Sequence, residues 1–171
     1  GHSYVADALA RGAAAAVVER DIPVLEGAEI LDLTAPDAAP RSVHMPVVVR
    51  VKSVLEALQD AAHWWREQLT VRIIGVTGSV GKTTTKEVVA KVLEQRYDVV
   101  RSQRSYNNEL GLPLTLLSLG GPTGAEGPES EALRVVLEMG MYVPGDIRFL
   151  CDIARPHVGI VTNVESVHAE H

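Results

Sequence analysis

The sequence predicts an α/β protein in which a small α/β piece precedes a doubly wound parallel sheet. Short β-branched apolar runs, such as residues 71–76 and 158–162, alternate with stretches of helical periodicity. A glycine-rich turn over residues 75–81 joins one of these runs directly to a helical pattern. Strands that alternate with helices are joined by crossover connections, which predicts a parallel sheet.

The first 50 residues predict the smaller piece. Residues 3–12 have a helical pattern, with Ser3 as the predicted N-cap and Gly12 as the residue that ends the helix. The other predicted elements are strands at 14–18 and 47–51 and, within the proline-containing loop 21–46, one short strand near Ile30.

A predicted helix over residues 53–69 links this piece to the larger sheet. Its neighbouring Trp64 and Trp65 are interpreted as residues of core or interdomain packing and not as a stacking platform. Lys86 is assigned to the polar face of the helix at 83–96, and Pro113 is compatible with the helix within 105–119 only near its first turn. The remaining predicted elements are strands at 98–101, 134–138 and 158–162 and a helix at 146–154.

Composition limits the class of protein. The 171 residues are 46% apolar and 22% charged, which is typical of one or two globular domains. The net charge of −6 argues against a nucleic-acid partner, and no apolar run reaches the ~18–20 residues of a membrane span. Cys151 is the single cysteine, so an internal disulfide is excluded and a cytoplasmic location is expected. Because the chain begins at Gly1 and not at Met, we expect a piece of a longer protein.

Residues 75–85 have the pattern of a phosphate-binding loop. Glycines precede Lys82 and Thr83, and a helical pattern follows them. Backbone N–H groups of such a loop and of the helix N-terminus can surround a phosphate. Lys82 is predicted to contact the β- and γ-phosphates, and the Thr83 hydroxyl to bind Mg²⁺. The general pattern has glycine where this chain has Val76, so the loop is a variant. The alternative is a tight strand–helix turn with a solvated lysine.

Polar residues end other strands at the same predicted edge. Glu138 ends strand 134–138, and Thr162 and Asn163 end strand 158–162. Ligands of such sheets bind beyond the carboxyl ends of the strands. Glu138 is therefore a candidate Mg²⁺ ligand, with an exposed strand-end glutamate as the alternative. His168 is a candidate metal ligand, with a solvated loop histidine as the alternative.

Five motifs in this order resemble the Mur ligase family: GVTGSVGKTTTKE from Gly75, NNELGLPLTLL from Asn107, LEMG from Leu137, GDI from Gly145 and PHVGIVTNVESVH from Pro156. The family's TGxxGKT/S loop is similar to Thr77–Thr83, which accounts for the variant glycine pattern. The opening GHSYVADALARGAAAAVV resembles the end of the family's N-terminal, UDP-binding domain. The chain departs from the family at Glu165, where glycine is more frequent.

The resemblance implies ATP-dependent amide bond formation through an acyl phosphate, with ATP and Mg²⁺ as cofactors. It implies catalytic roles for Lys82, Asn108 and His168, with Asn107 as the alternative to Asn108. It implies Mg²⁺ binding by Thr83, Glu138 and His168. The residues implied in nucleotide binding are Gly78, Ser79, Val80, Gly81, Lys82, Thr83 and Thr84.

The implied partners are a UDP-N-acetylmuramoyl peptide and D-alanyl-D-alanine, which places the full-length protein in peptidoglycan synthesis; neither nucleic acid nor membrane insertion is expected. The implied domains are the end of an N-terminal domain (1–50), a linking helix (51–70) and the first half of an ATP-binding domain (71–171). We expect the chain alone to be inactive and to self-associate. Two alternatives stay open, namely another phosphate-loop enzyme such as a small-molecule kinase, and a non-catalytic nucleotide- or UDP-sugar-binding module.

Overall fold

A computed structural model describes residues 2–23, 27–35, 42–103, 106–120 and 133–165 of the chain. The chain divides into two compact units, Gly1–Ala57 and Leu58–His171. The division falls inside the helix Val54–Gln68, which is the second helix of the chain (α2). None of the helices in the described part of the chain has the length and apolar character that crossing a bilayer requires.

The first unit contains a three-stranded parallel sheet and one short helix. Its strands are β1 (Ala15–Val18), β2 (Glu29–Asp32) and β3 (Val47–Arg50), and β3 lies between the other two. Helix α1 (Val5–Ala10) packs its buried Val5 with Val18 and Val48. The sequence therefore predicted these elements and their order correctly.

The predicted start of α1 was wrong. A 3₁₀ turn, His2–Tyr4, precedes the helix, and Tyr4 occupies the N-cap position without a side-chain hydrogen bond. Ser3 is therefore not the N-cap. Gly12, with φ of +93°, follows the C-cap Arg11, as predicted for the residue that ends a helix.

The second unit contains a four-stranded parallel sheet with the strand order β5-β6-β4-β7. This confirms the predicted α/β fold with a parallel sheet. Its strands are β4 (Arg72–Thr77), β5 (Val99–Arg101), β6 (Arg134–Glu138) and β7 (Val158–Val161), and its further helices are α3 (Lys82–Leu93), α4 (Gly111–Leu117) and α5 (Asp146–Ala154).

Helices cover both faces of this sheet, because successive side chains of a strand point to opposite faces. Ile73 and Val135 face a core that contains residues of α2, α4 and α5. Ile74 and Val136 face a second core, to which α3 contributes Ala90. The arrangement is that of a doubly wound sheet.

The structure tests the predictions made for Pro113 and for the two tryptophans. Pro113 is the third residue of α4, within its first turn, as predicted. Trp65 packs against the core and donates its indole N–H to Leu119 O at 3.2 Å, whereas Trp64 is 59% exposed. Core packing is therefore correct for Trp65 and wrong for Trp64, and interdomain packing of Trp64 stays a prediction.

The strand register brings the polar strand ends together. In β4, Val76 pairs with Glu138 of β6, and Thr77 pairs with Val161 of β7. The glycine-rich loop, residues 78–81, follows β4 at this same edge. The edge is therefore the place where the predicted site residues can meet.

Candidate functional site

The loop between β4 and α3 depends on two glycines with positive φ. Gly78 has φ of +131° and Gly81, the N-cap of α3, has φ of +84°. Gly81 offers no side chain to the helix, and the first helical hydrogen bond runs from Thr85 N to Gly81 O at 2.9 Å. The N–H groups of Lys82, Thr83 and Thr84 therefore lack an intrahelical acceptor and can bind an anion at the positive end of the helix dipole.

A cavity of about 380 Å³ lies in front of this helix end. Its lining combines loop glycines, hydroxyls, an amide, a lysine and a carboxylate, which are groups that bind phosphates and metal ions. The lining residues are Gly78, Ser79, Gly81, Lys82, Thr83, Thr84, Asn107, Glu138, Gly140, Met141 and Tyr142.

Lys82 lies at the cavity with its ammonium folded onto the loop. Its Nζ donates to Gly78 O at 2.8 Å and to Ser79 O at 3.2 Å. A phosphate oxygen is a stronger, charge-assisted acceptor than a backbone carbonyl. The ammonium is thus bound to the loop and not merely solvated, and its contact with phosphates stays a prediction.

Glu138 is the centre of the polar cluster. Its carboxylate accepts hydrogen bonds from Thr83 Oγ1 at 2.8 Å and from Asn107 Nδ2 at 3.0 Å. Its backbone N–H donates to Ser102 Oγ at 3.0 Å. Glu138 is only 3% exposed, so the alternative of an exposed strand-end glutamate is wrong.

Comparison with known proteins agrees with this geometry. Residues 76–171, which include the loop and Glu138, match the Mur ligase middle domain family. The chain belongs to the Mur ligase family.

Individual proteins of this family are similar to nearly the whole chain. The chain is 39% identical over 168 residues to UDP-N-acetylmuramoyl-tripeptide–D-alanyl-D-alanine ligase of Synechocystis sp., covering 98% of this chain and 31% of that protein. It is 36% identical over 170 residues to the ligase of the same name from Bacillus subtilis, covering 99% of this chain and 32% of the relative. Among solved structures, a MurF ligase from Thermotoga maritima in complex with ADP has a TM-score of 0.70 and 32% identity, over 98% of this chain and 32% of that one. The chain therefore spans about a third of the length of these Mur ligases.

The two neighbouring asparagines of this Mur ligase chain have different surroundings. Asn107 is buried, lines the cavity and contacts Glu138. Asn108 accepts the N–H of Gly111 on Oδ1 at 2.9 Å and the N–H of Leu112 on its backbone oxygen at 3.1 Å, so it supports the start of α4. The geometry thus favours Asn107 as the site residue, and the catalytic role of Asn108 stays a prediction.

Lys86 is a member of the cluster that the sequence reading missed. It is 1% exposed, and its Nζ donates to Ser102 O at 2.9 Å and lies 4.0 Å from Glu138 Oε2. Its assignment to the polar, solvent-facing side of α3 was therefore wrong. The available signal was its spacing from Lys82 and Thr83, four and three residues away, which places all three on one side of the helix.

The oxygen donors of the cluster suit Mg²⁺. Mg²⁺ is bound by carboxylate, hydroxyl, phosphate and water oxygens, and Thr83 Oγ1 and Glu138 Oε2 lie 2.8 Å apart. In the described part of the chain, no group of three or more His, Cys, Asp or Glu side chains could hold a metal ion. His168, the other predicted ligand, lies outside the described residues.

Proposed function

We propose that this chain is the nucleotide-binding part of a cytoplasmic ligase that joins D-alanyl-D-alanine to a UDP-N-acetylmuramoyl tripeptide in peptidoglycan synthesis. The observation that carries the proposal is the convergence of Lys82, Thr83 and Glu138 on one cavity at the N-terminus of α3. Relatives named for this reaction match 98% and 99% of the chain, and a MurF ligase of similar fold is complexed with ADP.

In the proposed reaction, a substrate carboxylate oxygen attacks the γ-phosphorus of ATP, and the bond from that phosphorus to the bridging oxygen of ADP breaks. The amine of the dipeptide then attacks the acyl carbon and loses a proton, and inorganic phosphate leaves. Such a transfer depends on charge neutralisation and in-line positioning. In this chain, the Lys82 ammonium would neutralise charge on the phosphates. The N–H groups at the start of α3, which lack an intrahelical acceptor, would help to hold the phosphates in line.

Mg²⁺ would be held by Thr83 and Glu138, and His168 is proposed to hold a second ion. When bound, Mg²⁺ neutralises phosphate charge and orients the phosphate oxygens. Asn107 orients the Glu138 carboxylate from the side opposite Thr83, since each binds a different carboxylate oxygen. Under the same proposal, residues 1–50 belong to the UDP-binding domain, 51–70 form the link and 71–171 belong to the ATP-binding domain.

The deciding experiment measures ADP release by the full-length protein. We expect release to require both a UDP-N-acetylmuramoyl tripeptide and D-alanyl-D-alanine, and tripeptides that differ in their third residue identify the natural substrate. ADP release that does not depend on the dipeptide but requires another phosphate acceptor would support a different phosphate-loop enzyme. ATP binding without turnover under every substrate combination would support the binding module.

A further inference from the structure

The segment after β7, residues 162–165, holds the phosphate loop from the side. Asn163 accepts the Val80 N–H on its side-chain Oδ1 at 2.9 Å and the Ser79 N–H on its backbone oxygen at 3.1 Å. Thr162 Oγ1 donates to Val80 O at 2.6 Å. The segment therefore exchanges hydrogen bonds with Ser79 and Val80, the two middle residues of the loop.

Two further contacts restrict the same loop. Ser79 Oγ donates to Glu165 O at 3.0 Å and accepts the Glu165 N–H at 2.9 Å. Gly78 lies so close to the segment that an added Cβ would collide with Thr162 Oγ1 and lie 2.9 Å from Asn163 O. The requirement for glycine here thus comes from the segment as well as from the positive φ.

These hydrogen bonds divide the loop amides into two sets. The N–H groups of Ser79 and Val80 are occupied by Asn163, whereas those of Lys82, Thr83 and Thr84 lack an intrahelical acceptor and line the cavity. Ser79 and Val80, which were predicted to bind the nucleotide, thus have backbone donors that are engaged with the protein itself.

We propose that Asn163 is a positioning residue, which acts through the Val80 amide to hold the loop in the conformation that binds the phosphates of a nucleotide. Its amide suits this role because Oδ1 accepts from Val80 while Nδ2 donates to Glu165 Oε1 at 3.0 Å, which fixes the orientation of the side chain. A preorganised loop binds phosphate without first losing conformational freedom. The inference rests on the nucleotide site of the proposed function.

The test compares Asn163→Ala with the double variant Asn163→Asp/Glu165→Gln in the full-length protein, with Val164→Ala as the matched control. Val164 is the next residue in the segment and is 81% exposed. ADP affinity is measured by calorimetry, and the hydrogen exchange of the Val80 amide is measured without nucleotide. Asn163→Ala is expected to accelerate Val80 exchange and to weaken ADP binding about tenfold, the effect of losing one hydrogen bond. The double variant keeps the acceptor toward Val80 and avoids a like-charge pair, because an amide at position 165 can donate to the carboxylate at position 163. It is expected to keep Val80 protected, and Val164→Ala is expected to change neither quantity.

Wild-type ADP affinity in a folded Asn163→Ala variant would overturn the proposal. Weakened affinity with unchanged Val80 exchange would also overturn it, because Asn163 would then act on the nucleotide directly. If Asn163→Ala does not fold, rapid Val80 exchange in the Asn163→Asp/Glu165→Gln double variant is the contradicting result. The two proposals fail in different ways. If the ligase reaction is wrong, the full-length protein shows no dipeptide-dependent ADP release, but Val80 exchange and ADP affinity can still be compared between wild type and the Asn163 variants.

Discussion

At the scale of the residue, Glu138 illustrates how a carboxylate is kept in a protein interior. Burying an ionised group is costly unless hydrogen bonds and an opposite charge compensate it. Thr83 and Asn107 bind its two oxygens, and the Lys86 ammonium lies 4.0 Å away. The protein's own side chains thus orient the Glu138 carboxylate.

Lys82→Ala is expected to abolish turnover of the full-length protein and to weaken ATP binding by at least about tenfold, because a charge-assisted hydrogen bond to phosphate is lost. Calorimetric titration with ATP measures the change. Lys91→Ala is the matched control, since Lys91 lies on the same helix with a side chain that is 70% exposed. Equal ATP affinity in wild type and a folded Lys82→Ala variant would refute the assignment of the loop.

Lys86→Met is expected to lower the free energy of unfolding by roughly 3 kcal/mol, because it leaves the buried Glu138 carboxylate without its counter-charge. The double variant Lys86→Met with Glu138→Gln removes both charges and should be less destabilised than the sum of the single variants. Denaturant unfolding of the four proteins gives the coupling. Strict additivity would show that the two side chains do not stabilise each other.

His157 predicts a pH dependence of stability. Partial desolvation of its ring, followed by the charges of Arg66 and Arg72, lowers the pKa of the otherwise exposed His157 below its usual 6.5, and its Nδ1 accepts the Ile73 N–H at 3.1 Å. Because the folded protein binds this proton less readily than the unfolded chain, His157 contributes stability above pH 6.5 that is lost as the pH falls. Unfolding free energy should therefore decline less steeply below pH 6.5 in His157→Gln than in wild type. Parallel declines in the two proteins would contradict this role.

At the scale of the element, α4 shows how one helix joins the core and the site. Its buried Leu112 and Leu116 pack with residues of β4 and β6, and its start is supported by Asn108, next to the cavity residue Asn107. Packing of α4 therefore determines where the segment that carries Asn107 can lie.

Leu116→Ala is expected to lower the free energy of unfolding by about 2–5 kcal/mol, because the side chain is fully buried and its removal leaves a cavity. Leu114→Ala is the control on the same helix, since Leu114 is 40% exposed and should cost much less. Denaturant unfolding measures both. Equal losses in the two variants would contradict the observed burial of α4.

At the scale of the whole molecule, we expect this 171-residue chain to self-associate through its outer strand β7. Within the described residues β7 pairs only with β4, and its Val158 and Val161 are 52% and 61% exposed. Open strand edges with apolar side chains promote association. Light scattering should give a mass above the monomer that falls in Val161→Lys. A monomer of unchanged mass in both proteins at high concentration would refute the expectation.

The sequence by itself determined the α/β class, the order of the strands and helices, and the glycine-rich loop between β4 and α3. These features depend on neighbouring residues: the β-branched run before Gly75, the glycines at 78 and 81, and the Lys82-Thr83 pair that opens α3. Local periodicity and backbone preference are properties of a few consecutive residues, so they can be read without the fold.

Only the tertiary structure decided which polar side chains meet at the site. Three contacts show this, because each joins segments that are distant in the sequence. They are the hydrogen bonds of Lys86 with Ser102, of Asn107 with Glu138 and of Asn163 with Val80. Whether a lysine is solvated or buried beside a carboxylate depends on which strand lies next to its helix. That is set by the packing of α3 on β4, β5 and β6 of one sheet, and no run of consecutive residues contains it.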